Sequence, residues 1–553
     1  MSAADLVISG GPILTLDPAF PQPEAVAVRD GTIVAVGSRD ELLRERDRRT
    51  ETLDLAGDTL IPGFYDAHQH QLYAGLAAED VDGRTDSVDE LVARVTAAAA
   101  ACSPRGWVEG GGWDEGRLAE RRTPTRADLD RAAPEHPAFI TRTCGHAMAV
   151  NSLALALAGI DARTPDPPGG RIERDERGEP SGVVHETAME LIRRVVPLPS
   201  RERHRRVILA AAAANLRHGI TSVWEPSVEP DHVAAYRELA AEGLLPVRVT
   251  MAHKKVLRSG EIMNLPEPFR GEWLSLVAVK LFQDGAIAPR TAALGSPYEG
   301  EPDNRGVLRW PQDELDEHVR AIHRAGLIAS IHAIGDAAIA SALDAIDLAQ
   351  RSERPQPLRH RIEHCGLPLG ELPDRVRASR AIPVVQTPFV HFHGDNYMRN
   401  LGPERSLRLY PTRTLLERVG VVAGSSDGPV VPDLSPLLGM RAAMTRLSAS
   451  GRPVATGEAI SFGQALYLYT LGAAAAAGEQ EVKGAITPGK YADFAVLSGD
   501  LAAPELDGVQ VARTIVAGRA DGDAPELGAE TFVPHSRMRP QRPRVPSSPP
   551  RSP

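Results

Sequence analysis

Two histidines that are one residue apart, His68 and His70, follow the largely apolar segment 61–67 and could bind a metal ion. In an extended segment, side chains at positions i and i+2 point to the same face, so both imidazoles can reach one cation. Neutral imidazole is the commonest metal ligand, and a His-x-His at a strand end leaves room for ligands from neighbouring strands. Because His-x-His often arises by chance, the prediction of a metal site depends on further ligands downstream.

A second candidate is Lys280, near the end of the apolar segment 276–282. The other lysines of the chain are Lys254, Lys255, Lys483 and Lys490, against 62 Lys and Arg residues in total. Lys280 could simply extend its ammonium out of a strand edge. Alternatively, burial disfavours the ammonium, and the free amine can take up carbon dioxide to become a carbamate. A carbamate has two oxygens and can bridge two cations.

Three more candidates each follow a short apolar or mixed segment: His332 after residues 327–331, His364 after 359–363, and Asp427 shortly after 421–424. For either histidine alone, a structural role is the commoner outcome. An aspartate before Gly-Pro commonly forms an Asx-turn or caps a helix. Beside a divalent cation, a carboxylate could instead be both ligand and general base. The ordered set of residues, taken together, favours the metal site.

A second His-x-His, formed by His391 and His393, competes with the first pair for the metal role. It follows the segment 384–388, and residues 394–396 after it are predicted to form a loop. We interpret these two histidines as substrate contacts or as solvated loop residues.

Helices that stop at a glycine and lead into an apolar strand recur in the middle of the chain. Helices are predicted at 203–217, 313–325 and 413–419, glycines follow at 219, 326 and 420, and strands follow at 220–225, 327–332 and 421–424. This succession is the repeat of a parallel α/β sheet. Periodicity does not decide whether the sheet closes. Polar residues at several strand ends favour a (β/α)8 barrel of the TIM type, because such barrels carry their chemistry there.

Short strands with alternating apolar positions mark both ends of the chain. They are predicted at 6–9, 13–16, 25–28, 32–36 and 51–54, and again at 492–497 and 511–516. Because a small sheet must bury one face, we predict that the two ends form one composite β-sandwich. The predicted domains are residues 1–60 and 478–520 for the sandwich, 61–477 for the barrel, and 521–553 for a disordered tail rich in Pro and Arg.

Composition excludes several classes of protein. The chain has 553 residues and a net charge of -11, which argues against a nucleic-acid or anionic-membrane partner. It has no apolar run of about 18 residues and no signal-peptide pattern, so we expect a cytoplasmic protein. Its three cysteines are few and far apart, which argues against a disulfide framework. The expected partner is a small-molecule substrate, and a homodimer remains open.

The order His68-x-His70, Lys280, His332, His364 and Asp427 resembles the amidohydrolase superfamily of metal-dependent hydrolases, and especially the subgroup that includes N-substituted formamide deformylases. The resemblance extends to about residue 520 and rests on segments 62–68, 144–151, 279–285, 332–336, 361–364 and 426–429. It implies a (β/α)8 barrel with a β-sandwich built from both chain ends, which agrees with the composite domain predicted above.

The resemblance also implies roles for the candidate ligands. His68, His70 and Asp427 would hold one metal, His332 and His364 a second, and carboxylated Lys280 would bridge them. Imidazole and carboxylate suit zinc, although iron or manganese could occupy such a site. A hydroxide on the metals would attack a carbonyl carbon, while Asp427 takes up a proton and delivers it to the leaving nitrogen. Residues in matching segments could line the pocket: Trp113, His146, Glu186 and Asp284.

The leading hypothesis is therefore hydrolysis of a non-peptide C–N bond, in an amide, formamide or related small molecule. Deamination, or ring opening of a cyclic amide or imine, is an alternative on the same site. A non-catalytic ligand-binding scaffold is the alternative from another class, and the intact ligand set argues against it. The fold alone does not decide among them, because barrels host many chemistries.

Overall fold

The computed structural model describes residues 4–44, 46–142, 147–167, 169–257, 261–354, 356–503 and 505–520. Two predictions fall outside these residues: the substrate contact assigned to His146 and the disordered tail 521–553. Cys144 is also outside them, and Cys102 and Cys365 form no disulfide within the described part.

The chain forms twenty-two strands and sixteen α-helices over the described residues. The strands are β1 (Leu6–Ser9), β2 (Ala25–Arg29), β3 (Thr32–Gly37), β4 (Glu51–Asp54), β5 (Thr59–Pro62), β6 (Phe64–Asp66), β7 (Val81–Asp82), β8 (Val108–Trp113), β9 (Ala138–Arg142), β10 (Ala147–Val150), β11 (Gly170–Arg174), β12 (Pro180–Glu186), β13 (Ile220–Val228), β14 (Arg248–Lys254), β15 (Leu274–Phe282), β16 (Ile328–Ala333), β17 (Arg361–His364), β18 (Ile382–Val385), β19 (Ala423–Gly424), β20 (Phe494–Ser498), β21 (Gln510–Val516) and β22 (Arg519–Ala520). The helices are α1 (Arg39–Arg44), α2 (Gln71–Glu79), α3 (Val88–Ala101), α4 (Arg126–Ala132), α5 (Ser152–Leu157), α6 (Met189–Arg193), α7 (Arg201–Arg217), α8 (Pro230–Ala241), α9 (Gln312–Arg324), α10 (Asp336–Ser352), α11 (Leu372–Ala378), α12 (Pro388–Ser406), α13 (Thr412–Arg418), α14 (Pro436–Thr445), α15 (Phe462–Leu468) and α16 (Leu471–Ala477).

Eight parallel strands form the central sheet, in the order β6, β13, β14, β15, β16, β17, β18 and β19. The first and last strands meet, because the Ala67 N–H donates to the Gly424 carbonyl at 3.3 Å. The predicted (β/α)8 barrel is therefore confirmed. The three predicted helix stops are also present, since Gly219, Gly326 and Gly420 follow α7, α9 and α13 with φ of 75°, 72° and 89°. Such a left-handed residue ends a helix and favours glycine.

The barrel interior is filled by side chains and by one alanine-rich helix. Ala473, Ala474, Ala476 and Ala477 of α16 share a buried cluster with strand residues that include Tyr65 and Trp224. Alanine side chains let a helix approach closely, so apolar contacts pack this helix against the strands.

The two chain ends form paired four-stranded sheets, in the orders β3-β2-β1-β4 and β22-β21-β20-β5. One apolar cluster joins them, with Ile8 and Val26 from the first sheet and Phe494 and Ile515 from the second. This confirms the composite β-sandwich. The strand predicted at 13–16 is wrong, because Ile13 makes only an isolated bridge to Leu60 among the described residues.

Thr15 and Leu16 explain why no strand forms at residues 13–16. Leu16 has a φ of 56°, which ends any extended segment. The Thr15 hydroxyl donates to the Phe20 carbonyl at 2.7 Å and so stabilises a turn instead.

A sheet that we did not predict lies within residues 81–186, between α2 and α6. Its six strands have the order β11-β12-β10-β9-β8-β7. Leu91, Trp113, Leu129 and Ile140 contribute to its own buried cluster. It is an insertion between the first and second strands of the barrel. Among the helices that the structure describes, none is long and apolar enough to cross a membrane.

Candidate metal centre

The predicted ligands meet at the carboxyl end of the barrel. His364 is the last residue of β17, His332 lies near the end of β16, and Lys280 lies near the end of β15. His68 and Asp427 come two and three residues after β6 and β19. Parallel pairing places the strand ends together, with Phe282 opposite His332 and Ala333 opposite His364. The topology therefore explains why residues so far apart in sequence form one cluster.

Asp427 lies at the centre of this cluster. Its Oδ1 is 3.4 Å from His68 Nε2 and 3.4 Å from His70 Nε2. Its Oδ2 is 3.9 Å from His364 Nδ1. One ligand atom from each of His68, His364 and Asp427 lies within 4.8 Å of the others, and all three side chains are buried. This group could hold a metal ion.

Lys280 and His332 complete the cluster. Lys280 Nζ is 3.4 Å from His68 Nε2, and the side chain is 1% exposed. The His332 ring centroid is 4.4 Å from that of His364. His332 Nε2 lies 2.9 Å from the Gly285 carbonyl oxygen, which can only accept, so Nε2 carries the hydrogen and Nδ1 keeps a lone pair. The structure thus brings all six predicted ligands together.

Burial determines the protonation states of the cluster. Burial, followed by the charge of Lys280, lowers the pKa of His68 to about 4, and burial lowers the pKa of His364 well below its usual value. Both rings are neutral near pH 7, which is the form that binds metal. Burial alone would raise the pKa of Asp427, but the neighbouring His68, His70 and His364 hold it well below the usual range. Asp427 is therefore an anion beside the neutral rings of His68 and His364.

Lys280, unlike His68 and His364, is only partly uncharged near neutral pH. Burial lowers its pKa to about 8, although Glu363 and Asp427 act in the opposite direction. A fraction of the side chain is therefore an uncharged amine near neutral pH, and an uncharged amine can react with an electrophile.

Two polar atoms of the cluster find no hydrogen-bond partner among the described residues: Asp427 Oδ1 and His70 Nδ1. A buried polar atom without a partner is costly, and native structures rarely keep one without a reason. The backbone is also strained, because His364 has a φ of 72° and Asp427 a φ of 59°. Such strain is typical of functional sites. The donor set and the unpaired atoms fit a divalent cation such as zinc.

The residues that hold the ligands in place were not predicted. Glu363 Oε2 accepts from His68 Nδ1 at 2.6 Å, and Gln386 Oε1 lies 2.6 Å from His364 Nδ1. The available signal was the pattern Arg361-x-Glu363 just before a candidate ligand, His364, because buried charges must pair. Gln386 carries no such signal.

Asp66 ties together the two segments that carry His68 and Asp427. Its carboxylate accepts from the His68 N–H at 3.2 Å and from the Ser426 N–H at 3.0 Å. Burial raises the pKa of Asp66 to about 7. Sequence reasoning missed this aspartate, because its partners are two backbone N–H groups and the Gln69 side-chain amide, which donates at 3.3 Å.

Asp284 and Trp113, two of the predicted substrate contacts, are buried. The Asp284 carboxylate accepts from the N–H groups of Ala293 at 3.0 Å and Gly335 at 2.9 Å, and lies 3.3 Å from His332 Nε2. Trp113 Nε1 donates to the Ile140 carbonyl at 2.8 Å within the inserted sheet. Substrate contact by either residue remains a prediction.

His391 and His393 lie in helix α12, so the loop predicted at 394–396 is wrong. Thr387 and Pro388 begin the helix, and proline suits a first helical position. Residues two apart on a helix point to different faces, so this His-x-His cannot act as the first pair does. His393 is the nearer to the cluster, since its ring is 5.0 Å from Phe389, which lies 6.4 Å from His364.

Known proteins are similar to this sequence over most of its length. The amidohydrolase family model matches residues 51–520, and a model of the bacterial imidazolonepropionase-like composite domain matches residues 25–45. The putative amidohydrolase YtcJ of Bacillus subtilis (strain 168) is 32% identical over 529 residues, 92% of this chain and 98% of that protein. The N-substituted formamide deformylase of Arthrobacter pascens is 31% identical over 535 residues, 93% of this chain and 97% of that protein.

Solved structures of metal-dependent hydrolases have a similar fold. The crystal structure of an uncharacterized metal-dependent hydrolase from Pyrococcus furiosus matches with a TM-score of 0.76 and 28% identity, covering 90% of this chain and 99% of that one. The match of the family model to residues 51–520 shows which family the chain belongs to. The chain belongs to the amidohydrolase family and is an enzyme that acts on C–N bonds other than peptide bonds.

Proposed function

We propose that the protein hydrolyses an amide-type C–N bond of a small molecule, in a formamide or a related N-acyl amine, with one or two zinc ions as cofactor. The observation that carries this proposal is the buried Asp427 carboxylate, which faces three imidazoles and has an oxygen that no described residue satisfies. Such a carboxylate can bind a cation and accept a proton.

The ligands are assigned as the resemblance to the amidohydrolase superfamily implies. His68, His70 and Asp427 would hold one ion, and His332 and His364 the second, with Lys280 between them. A bound divalent cation lowers the pKa of a water molecule and polarises a substrate carbonyl. The hydrogen bonds of His68 to Glu363 and of His332 to Gly285 support this assignment, because each fixes one ring nitrogen and leaves the other available.

Asp427 is the proposed proton carrier. It is ionised near neutral pH, so it can accept the proton of the attacking water. Cleavage of an amide also requires a proton on the leaving nitrogen, and the protonated carboxyl can return it there. One residue thus serves both transfers, and the products are a carboxylic acid and an amine.

Lys280 is proposed to act as a carbamate. Its uncharged amine would form an N–C bond with carbon dioxide and release one proton, giving a carboxylate with two oxygen ligands. Its burial and its lowered pKa support this proposal. The change converts a cation beside His68 into an anion, which removes the repulsion that an ammonium would exert on a bound metal.

The choice of substrate rests on the relatives. The similar protein from Arthrobacter pascens is named for N-substituted formamides, so these are the first compounds to test. The experiment measures amine release from N-substituted formamides, N-acyl amines and cyclic amides, by protein of known metal content. We expect turnover of at least one acyclic amide that is lost on chelation and restored by zinc.

Two results would contradict the proposal. One is protein that carries metal and hydrolyses no member of the panel. The other is amine release that is the same before and after complete removal of the metal, which would move the chemistry away from this cluster.

A further inference from the structure

Two charged residues in the middle of the barrel, Arg361 and Glu363, belong to the same face of strand β17. They are two positions apart, so both side chains point to the same side of the sheet. Both are fully buried. Charged pairs in a barrel interior are expensive, so their presence requires an explanation that the fold alone does not provide.

Glu363 contacts a metal ligand directly. Its Oε2 accepts from His68 Nδ1 at 2.6 Å, and its Oε1 accepts from the Ser330 hydroxyl at 2.6 Å. A carboxylate on Nδ1 keeps the hydrogen there and leaves the lone pair on Nε2. His68 Nε2 is the atom that faces Asp427 and Lys280. Glu363 therefore selects the tautomer and the ring orientation that metal binding needs.

Arg361 holds Glu363 and the backbone of the same ligand. Its guanidinium donates to Glu363 Oε1 at 2.7 Å and to Glu363 Oε2 at 3.1 Å. The same group donates to the carbonyl of Ala67, the residue before His68, at 2.6 Å. It stacks over the Trp224 ring at 3.7 Å, which prevents it from turning away. One side chain thus fixes both the partner of the His68 ring and the position of the His68 backbone.

We propose that Arg361 and Glu363 are positioning residues that set the affinity of the centre for zinc through His68. This inference rests on the proposed function, because it assumes that a metal binds at His68. Strand β17 would then have two roles, because it carries both positioning residues and ends in His364, which is itself a candidate ligand. A disturbance of this strand would weaken both halves of the centre together.

The experiment measures the dissociation constant of zinc, by competition with a chromophoric chelator, for Glu363→Gln and Glu363→Met. Gln keeps an acceptor for His68 but not the charge, and Met keeps neither. We expect zinc binding to weaken by about 10- to 100-fold, which is the usual scale for losing such a partner, with the larger loss in the Met variant. The absorption bands of bound Co²⁺ should shift in the same order, because the ligand field at His68 changes.

Glu479 offers a matched control in the same barrel. It is also a buried carboxylate, with a lysine partner at 2.8 Å and two hydroxyl partners, but no described contact joins it to a ligand. Glu479→Gln and Glu479→Met should leave the zinc dissociation constant within about twofold of the wild-type value. An equal loss in the Glu363 and Glu479 series would show general destabilisation and overturn the proposal.

Removal of Glu363 alone leaves Arg361 buried without its anion, and such a variant could fail to fold. The double variant Arg361→Met/Glu363→Gln removes both charges and provides the measurement in that case. Zinc binding by folded Glu363→Met, or by the folded double variant, within about twofold of the wild-type value would overturn the inference. If the wild-type protein itself bound no zinc, the proposed function would fail instead, so the two failures are distinguishable.

Discussion

Two buried carboxylates of the barrel, Asp427 and Glu479, have opposite surroundings. Glu479 accepts from the Tyr65 hydroxyl at 3.1 Å, the Thr250 hydroxyl at 2.8 Å and Lys483 at 2.8 Å. Asp427 Oδ1 has no hydrogen-bond partner within the described ranges, and it faces imidazole nitrogens at 3.4 Å. Since an unsatisfied buried oxygen costs free energy, the difference separates a carboxylate that stabilises the fold from one that is kept for a ligand.

The largest effect should come from breaking the satisfied carboxylate. Glu479→Gln leaves Lys483 buried without an anion, and we expect the free energy of unfolding to fall by about 3–5 kcal/mol. Chemical denaturation followed by circular dichroism measures this change. The turnover number of the folded variant should stay within about threefold of the wild-type value, and a larger loss would show that Glu479 also serves the reaction.

The substitution Asp427→Asn tests the other carboxylate, whose oxygen has no partner among the described residues. It keeps the shape but removes the basicity, so the turnover number should fall by about a hundredfold or more, or about 2.7 kcal/mol, with much less change in substrate binding. The acidic limb of the pH–rate profile should change with it. Metal content must be measured on the same sample, since lost metal would mimic lost proton transfer. A variant with full metal and near-normal turnover would transfer the proton role to another group, such as His391 or His393.

Lys280→Ala tests the bridging role. Removing the side chain should abolish tight binding of one ion and lower activity at least about tenfold, and a short carboxylate in solution should partly restore both. Elemental analysis with and without added propionate measures this. If the variant keeps two ions, or if a crystal structure contains one metal beside a free ammonium, the binuclear assignment is wrong.

A pair of buried histidines whose hydrogen bonds are satisfied provides the last test of the comparison. His360 Nδ1 accepts from the Ala329 N–H at 3.0 Å, so its Nε2 donates to His323 Nδ1 at 2.9 Å. Burial, followed by His323, lowers the pKa of His360 to about 3. The unfolded residue has a pKa of about 6.5. Below that value the unfolded state binds a proton that the native state does not, so this contribution to stability decreases as the pH falls from about 6.5 towards 3.

The expected slope is about 1.4 kcal/mol per pH unit for this one group. His360→Gln removes the titration, so its free energy of unfolding should depend less steeply on pH between about 6 and 4. Denaturation of both proteins at several pH values measures the difference. Identical slopes would show that His360 is protonated in the native state or that the pair opens.

The sequence contained the ligands of the centre because each one follows a recognisable strand. His332 and Asp427 could be placed at strand ends from the apolar segments before them, and His364 from the mixed segment 359–363. Parallel pairing then requires those ends to meet. The same logic predicted the barrel and the composite sandwich. It did not predict which groups would hold the ligands, since hydrogen bonds such as that from His364 Nδ1 to Gln386 Oε1 depend on side-chain positions.

The inserted sheet was missed for a different reason. Its strands are short, with β7 only two residues long, and β8 contains the run Gly110–Gly112, which masks the alternation of a strand. One signal was available. About 150 residues separate His70 from the strand that begins at Ile220, far more than the roughly 30 residues of one βαβ unit. The helix that contains His391 and His393 was missed because Gly394 and Asn396, which lie within it, are typical turn residues.

The most direct test of the account is a zinc titration of protein from which metal has been stripped. Binding should saturate between about one and two equivalents per chain, raise the melting temperature and restore amide hydrolysis. His68→Ala should reduce the bound zinc by at least about one equivalent, since it removes a ligand of the first ion. Uptake of fewer than about half an equivalent by the wild-type protein, with no gain in activity, would contradict the claim that this cluster is a metal centre.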